Sequence, residues 1–342
     1  MNIFKLKIDN NLLIGACALS LISVFSILIA NTEMMKNLSI SPLIIAILFG
    51  TILTHLLKQS YIEYLNSSIT FSTKRVLRFG IILYGFRLTV QNLFEVGLQG
   101  FVFAVFIVTS TFFIGYFIGT RILKMDKEIT ILTTIGSSIC GAAAVLATES
   151  VLKTPAYKSA VAVSTVVVFG TVAMLLYPFL YKLGIFTLDS HSFGLYIGGT
   201  LHEVAHVVAS GNAINNEVAN SAVIEKMIRV ILLAPFLIIL GFFWRGKENK
   251  GMKQKVVIPW FAVFFCVVIG FNSLNFVSKE NVELINQFDT FLLTMAMLAL
   301  GLQTHISKFK QVGAKPFYLA SILFIWLIFG GLQGLEFILQ IF

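Results

Sequence analysis

Three ionisable side chains, His202, Glu203 and His206, fall within five positions of an otherwise apolar stretch, flanked by Leu201, Val204, Val207 and Val208. Histidine titrates near neutral pH, so the group could share a proton, an ion or a metal. His202 and His206 are read as one turn apart on one helix face. The string HEVAH also fits H-E-x-x-H, the pattern in which two helical histidines hold zinc and the glutamate is the general base. That raises an intramembrane zinc metalloprotease as the rival reading. Catalytic zinc needs a third protein ligand, and the one aspartate at membrane depth, Asp289, stands in Gln287-Phe288-Asp289-Thr290 without glycine-rich surroundings. The pattern is short enough to recur by chance, and neither a metal nor another cofactor is expected.

A second group, Glu225, Lys226 and Arg229, lies inside a later apolar run. Glu225 and Arg229 are spaced i, i+4 and can pair, which leaves Lys226 as a free cation. Either cation would suit an anion, Arg229 more so because its fork bonds an oxyanion bidentately. Arg87 and Glu149, nearer the ends of their segments, are read as structural.

A third group combines glycines with hydroxyls: Gly136-Ser137-Ser138-Ile139-Cys140-Gly141 and Gly198-Gly199-Thr200-Leu201-His202-Glu203. Both strings sit mid-segment and read as interruptions of a helix. A helix half that starts after Ser137-Ser138 or after Gly199-Thr200 presents free N–H groups and a positive dipole end, which suits an oxyanion. Ser137, Ser138 and Thr200, with neighbouring backbone N–H groups, are the expected contacts. In hydrocarbon such breaks are tolerated only where they are buried in protein or line a watery cavity, so two in matching positions mark where a solute would sit.

The elements that must position these groups are transmembrane helices. Hydrophobic residues make up 57% of the chain and charged ones 12%, too few charges to clothe a water-facing globule. Apolar runs long enough to cross ~30 Å of hydrocarbon recur throughout. Spans are expected near 11–30, 41–57, 75–92, 99–122, 157–182, 219–244, 256–276, 284–304 and 316–341, with the interrupted segments at 128–150 and 193–211. The fold class is therefore all-α and polytopic, with about 9–11 transmembrane segments, in a single domain over 1–342 whose core begins at 41. The net charge of +9 comes from basic residues in short connectors, a topology signal that does not point to nucleic acid. Cys17, Cys140 and Cys266 lie in apolar segments without paired spacing and read as small buried hydrophobes. The run 11–30 follows Lys5 and Lys7 but has no small-residue cleavage site after it, so it reads as a first span.

The interrupted segments match each other without a gap, IGSSICGAAAVLAT (135–148) against IGGTLHEVAHVVAS (197–210). The spans that follow carry LLYPFL (175–180) and LLAPFL (232–237). A further match sets Gly85, Val96, Gly97, Phe101 and Ala104 against Gly301, Val312, Gly313, Phe317 and Ala320. Together they indicate an internal repeat. If 128–150 and 193–211 are re-entrant hairpins, then Lys58/Lys74/Arg75, Arg121/Lys124/Lys127, Lys153/Lys158, Arg245–Lys255 and Lys308/Lys310/Lys315 all face the cytoplasm. The same arrangement makes the two halves antiparallel, an inverted-topology repeat.

GSSICGAAAVLAT (136–148), GGTLHEVAHVVASG (198–211), KMIRVILLAPFL (226–237) and MLALGLQT (297–304) together resemble the YeiH-like bacterial inner-membrane proteins, a family of proposed sulfate exporters. The resemblance runs from about residue 40 onward. It implies an inner-membrane transporter of sulfate or a related sulfur oxyanion, with Ser138, Cys140, Gly141, His202, Glu203, Lys226 and Arg229 as the positions that match. No nucleotide-binding or nucleophile-elbow motif is present, so an enzyme is not expected and any driving force should be an ion or proton gradient. The expected partners are a small sulfate-like anion, a proton or cation as coupling ion, and the lipid bilayer; further copies of the chain are compatible with the sequence.

Overall fold

The computed structural model describes residues 10–37, 41–244, 260–303 and 314–342. Every regular element among them is helical. In chain order these are α1 (Asn10–Ala30), α2 (Glu33–Asn37), α3 (Pro42–Leu56), α4 (Gln59–Phe71), α5 (Leu77–Tyr84), α6 (Val90–Phe117), α7 (Lys127–Ser138), α8 (Ala142–Leu152), α9 (Ala156–Lys182), α10 (Ser190–Thr200), α11 (Val204–Asn212), α12 (Asn216–Trp244), α13 (Trp260–Ser273), α14 (Lys279–Gln303) and α15 (Ala314–Ile341). Six of them, α1, α6 with its continuation to Ile122, α9, α12, α14 and α15, are long and apolar enough to cross a bilayer. The chain is an all-α polytopic membrane protein.

Among the described residues the chain divides into two compact units. The first takes in the chain up to Arg87 and the stretch from Phe265 through α14. Within it, α3 and α14 approach so closely that a Cβ on Gly50 would strike the Leu298 carbonyl, and one on Gly301 the Ile47 carbonyl. Thr54 Oγ1 donates to the Leu302 carbonyl at 3.0 Å in the same seam. Small residues that let backbones meet are how helices pack where lipid removes the hydrophobic drive.

The expected span at 75–92 is corrected here. Helix runs without interruption from Gln59 through a π-helical turn at Ser72–Val76, α5 and a 3-10 turn at Gly85–Arg87. Leu88 ends it, because Thr89 is the N-cap of α6 and forms a capping box with Asn92. Span 99–122 likewise begins earlier, at Val90, with a kink at Gly97, whose φ of 48° combined with a ψ of −145° favours glycine.

The second unit runs from Leu88 to Phe264 and takes in α15. Its centre is a pair of helical hairpins. In the first, α7 and α8 are joined by the turn Ile139–Gly141. Lys158, near the start of α9, bonds Asp126 and Glu128 at the start of α7, at 2.9 and 2.7 Å. Further in, Leu132 of α7 packs on Val145 of α8 and Ala162 of α9, and a Cβ on Gly136 would strike Val166. So α7 runs parallel to α9. Because α8 ends at Leu152 and α9 begins at Ala156, α8 returns to the end from which α7 entered.

The second hairpin repeats this arrangement. Helices α10 and α11 flank the turn Leu201–Glu203. Gly194 faces Val218 and Ser221, while Gly198 faces Ala222 and Glu225, so α10 runs parallel to α12. Gly211 meets Ala219, so α11 runs back along α12. Asn215, past the end of α11, donates to Ser190 Oγ at the start of α10 at 3.2 Å. Both segments are therefore re-entrant hairpins rather than broken spans. Helix α9, 27 residues long, rises ~40 Å between the two hairpin mouths, so the hairpins enter from opposite ends and their turns meet midway. Lys153 and Lys158 consequently lie at the same end as Arg121, Lys124 and Lys127. The basic stretch Arg245–Lys255, Lys308 and Lys310, and the repeat positions Val312 and Gly313, fall outside the described residues.

Candidate functional site

The turns of the two hairpins meet against the middle of α9 and α12. Gly141, at φ 72°, leaves no room for a Cβ, which would strike the Glu203 side chain and Val166. Gly170 of α9 abuts the His206 ring and the Cβ of His202 in the same way. The sequence predicts helix starts after Ser138 and Thr200; the structure places them later, at Ala142 and Val204. Ser137 Oγ, Ser138 Oγ and Thr200 Oγ1 donate to carbonyls of their own helices, those of Thr133, Ile135 and Tyr196.

Two fully buried cations close the helix ends that point at the junction. Lys226 Nζ donates to the carbonyls of Ile139 and Leu201 at 2.7 and 2.6 Å. The Arg229 guanidinium donates to Gly198 and Leu201 through one terminal nitrogen, both at 3.0 Å, and to Ser137 and Ser138 through the other, at 3.3 and 2.7 Å. These carbonyls are the ones an α-helix cannot satisfy itself, and they form the negative pole of its dipole. Each cation therefore holds one hairpin to the other. The expected pairing of Arg229 with Glu225 is corrected: among the described residues no hydrogen bond or ion pair joins them, and both carboxylate oxygens of Glu225 are buried without a hydrogen-bond partner. Lys226 is likewise not a free cation.

The opposite poles also meet here. Ala142 N–H, at the N-terminus of α8, donates to Glu203 Oε1 at 3.2 Å. The second hairpin's carboxylate thus sits at the positive end of a first-hairpin helix. Its other oxygen, Oε2, lies 3.9 Å from His206 Nδ1. The rings of His202 and His206 are buried, and none of their nitrogens has a hydrogen-bond partner among the described residues. Cys140, also buried, stands in the first turn as a free thiol.

This geometry removes the basis of the metalloprotease reading. His202 and Glu203 lie in the non-helical turn and only His206 is on α11, so the HEVAH residues do not share a helix face as that motif requires. Among the described residues no three His, Cys, Asp or Glu side chains are grouped to hold a metal.

The ten residues expected to form the site, Ser137, Ser138, Cys140, Gly141, Thr200, His202, Glu203, His206, Lys226 and Arg229, are in or beside the two turns. A charged cluster that the sequence does not connect lies in the first unit. Arg87 donates to Asp289 Oδ2 at 3.1 Å, to the Asn286 carbonyl at 2.7 Å and to Thr290 Oγ1 at 2.8 Å. Asp289 is fully buried. A lone aspartate at membrane depth demands a cation, and Arg87 is a basic residue inside an apolar run; that was the available signal.

Comparison with known proteins agrees with the sequence resemblance at the level of the family. The family described as conserved hypothetical protein 698 matches residues 14–320. The chain belongs to that family. A UPF0324 membrane protein of Bacteroides thetaiotaomicron is 47% identical over 322 residues, covering 93% of this chain and 96% of its own. The UPF0324 inner membrane protein YeiH of Escherichia coli K12 is 48% identical over 295 residues, covering 85% and 84%. A UPF0324 membrane protein of Photorhabdus laumondii is 44% identical over 327 residues, covering 93% and 91%. No solved structure matches. The relatives' names and the apolar helices together make this conserved hypothetical protein 698 family member a multi-pass inner-membrane protein.

Proposed function

We propose that this protein is a secondary transporter that carries a small inorganic or sulfur-containing anion across the cytoplasmic membrane by gradient-coupled alternating access. The observation that carries the reading is the meeting of two oppositely inserted hairpins at buried Lys226 and Arg229 and partly buried Glu203. Broken helices in the two halves of a repeat, with their ends at mid-membrane, are the usual setting of a transporter's solute site. With the carbonyl ends neutralised by two full positive charges, and the N-termini of α8 and α11 adding partial ones, the junction favours an anion. Ser137, Ser138, Cys140, Gly141 and Thr200 frame the solute; His202, Glu203 and His206 couple a proton or orient the site. Charged groups buried at this depth in a membrane protein are seldom retained without such work.

The test is uptake of labelled sulfate and labelled methanesulfonate into proteoliposomes holding the purified protein, with and without an imposed pH gradient. Saturable uptake with counterflow is the expected result. No flux of either anion under any gradient overturns the reading, and flux without saturation or counterflow replaces the transporter with a channel.

A further inference from the structure

Resting on the transport reading, we infer that Glu203 is a tethered occupant of the anion site: a singly charged oxyanion replaces its carboxylate at the N-terminus of α8, and Glu203 takes up one proton as it leaves.

The geometry has three parts. Glu203 Oε1 accepts the Ala142 N–H at 3.2 Å, where a free oxyanion would bind a helix N-terminus. Gly141 admits that carboxylate because it lacks a Cβ and adopts φ 72°. Beyond the carboxylate stands a fully buried ring, His206, whose nitrogens have no hydrogen-bond partner among the described residues and whose Nδ1 is 3.9 Å from Glu203 Oε2. The groups facing Glu203 are Lys226 from α12, Cys140 from the first turn, and His206 on α11. Val166 and Gly170, the α9 residues beside the two turns, bring no titratable group.

The exchange balances. An oxygen of the incoming anion accepts the Ala142 N–H that Glu203 releases. One proton from the water on the open side forms an O–H bond at Glu203 Oε2, and that O–H can donate to a neutral His206 Nδ1. No covalent bond between heavy atoms changes, and nothing is oxidised or reduced. A neutral carboxyl is a weaker acceptor for N–H than a carboxylate, so protonation favours release. One negative charge leaves the junction as another arrives, so a monoanion conserves the charge that Lys226, Arg229 and the helix ends hold. A dianion of the same shape brings one more negative charge than Glu203 removes, so it does not exchange one for one with the carboxylate.

Methanesulfonate and sulfate share a sulfur oxyanion head but differ in charge, so they separate these alternatives. The experiment measures equilibrium binding of each by calorimetry to the purified full chain in detergent, with proton uptake followed by an indicator dye, in wild type and Glu203→Gln. Wild type is expected to bind methanesulfonate more tightly than sulfate and to take up one proton per site, as one-proton linkage requires. Its affinity should weaken about tenfold per pH unit wherever Glu203 is ionised in the free protein and protonated in the complex. Glu203→Gln, a neutral isostere, should bind methanesulfonate with no proton uptake and no pH dependence. Binding in wild type without proton uptake, uptake that persists in Glu203→Gln, or a preference for sulfate each overturns the inference while leaving the transport reading intact. Absence of binding by both anions overturns it too, and the fate of the transport reading then rests on the flux measurement.

Discussion

The Arg229 guanidinium reaches the Ser138 carbonyl at 2.7 Å, across from the helix that its other terminal nitrogen satisfies at Gly198 and Leu201. One side chain therefore terminates α7 and α10 together. Arginine can do this because its planar fork presents several donors in fixed directions, whereas a lysine ammonium is a compact point charge.

Replacing Arg229 by methionine leaves four buried carbonyls without that donor. The expected loss of stability is on the order of 3–5 kcal/mol, the scale for removing one partner of a buried charged contact. Arg229→Lys retains the charge but reaches fewer carbonyls, so it should fall between the two. Thermal unfolding in detergent, followed by loss of helical circular dichroism, checks the ranking; a methionine variant as stable as wild type contradicts it.

Gly141 and Gly97 provide a controlled pair. Both have positive φ, 72° and 48°, but a Cβ at Gly97 meets nothing within 4 Å, whereas one at Gly141 strikes Glu203 and Val166. Gly97→Ala should show the backbone cost alone, roughly 1–3 kcal/mol. Gly141→Ala carries that strain and also displaces the Glu203 carboxylate from Ala142. Uptake normalised to folded protein is expected to survive the first substitution and to be lost in the second. Equal effects of the two on uptake would mean that contact with Glu203 does not matter for transport.

The hairpins were legible in the sequence because glycines and hydroxyls clustered in the middle of an apolar run weaken a continuous helix where lipid cannot repair it, and because the basic residues of 121–127 and 153–158 could share a side only if the intervening segment turned back. The identities of Lys226 and Arg229 were equally legible, but their partners were not. Those partners are backbone carbonyls, which have no side-chain signature, and the i, i+4 spacing of Glu225 and Arg229 pointed to a pairing that the helix ends outcompete. The HEVAH string misled for a related reason: its register is helical on paper, but the turn at Leu201–Glu203 places two of its three ionisable residues outside any helix. Helix α4 was hidden by Gln59, Ser60, Glu63, Asn66, Ser67 and Ser68, which lower its apolar character although it continues directly towards α5.

At the mouth of the first hairpin, Asp126 is the N-cap of α7 and an ion-pair partner of Lys158. Its partial burial alone would raise its pKa, but the hydrogen bonds from Lys158 and the Ile129 N–H outweigh that and hold it below the ordinary value of 3.8. A carboxyl depressed in the folded state contributes stability above its unfolded pKa, and that contribution is lost as pH falls through the folded value. Amide exchange in the first turn of α7, corrected for intrinsic rate, should therefore be constant from neutrality to about pH 5 and accelerate only below roughly pH 4. Asp126→Asn should show the faster exchange already at neutral pH, moderated by the Glu128–Lys158 pair that remains. Acceleration that begins near pH 6 would assign the sensitivity to another group.

Arg87 and Asp289 form the buried charge pair of the first unit, and their role can be separated from proton coupling by replacing them singly and together. Asp289 is fully buried while the Arg87 side chain is 24% exposed, so removing Arg87 strands a carboxylate and removing Asp289 leaves a cation that can still reach its other acceptors, the Asn286 carbonyl and Thr290 Oγ1. Arg87→Met should therefore be the more damaging single change, by about 3–5 kcal/mol, whereas an apolar double substitution at similar volume should recover most of that loss. Unfolding midpoints of Arg87→Met, Asp289→Leu and the double variant test the coupling. If the pair is structural, the double variant also transports at the wild-type rate with unchanged pH dependence. A double variant that folds as well as wild type but no longer responds to a pH gradient would instead make Asp289 a proton carrier.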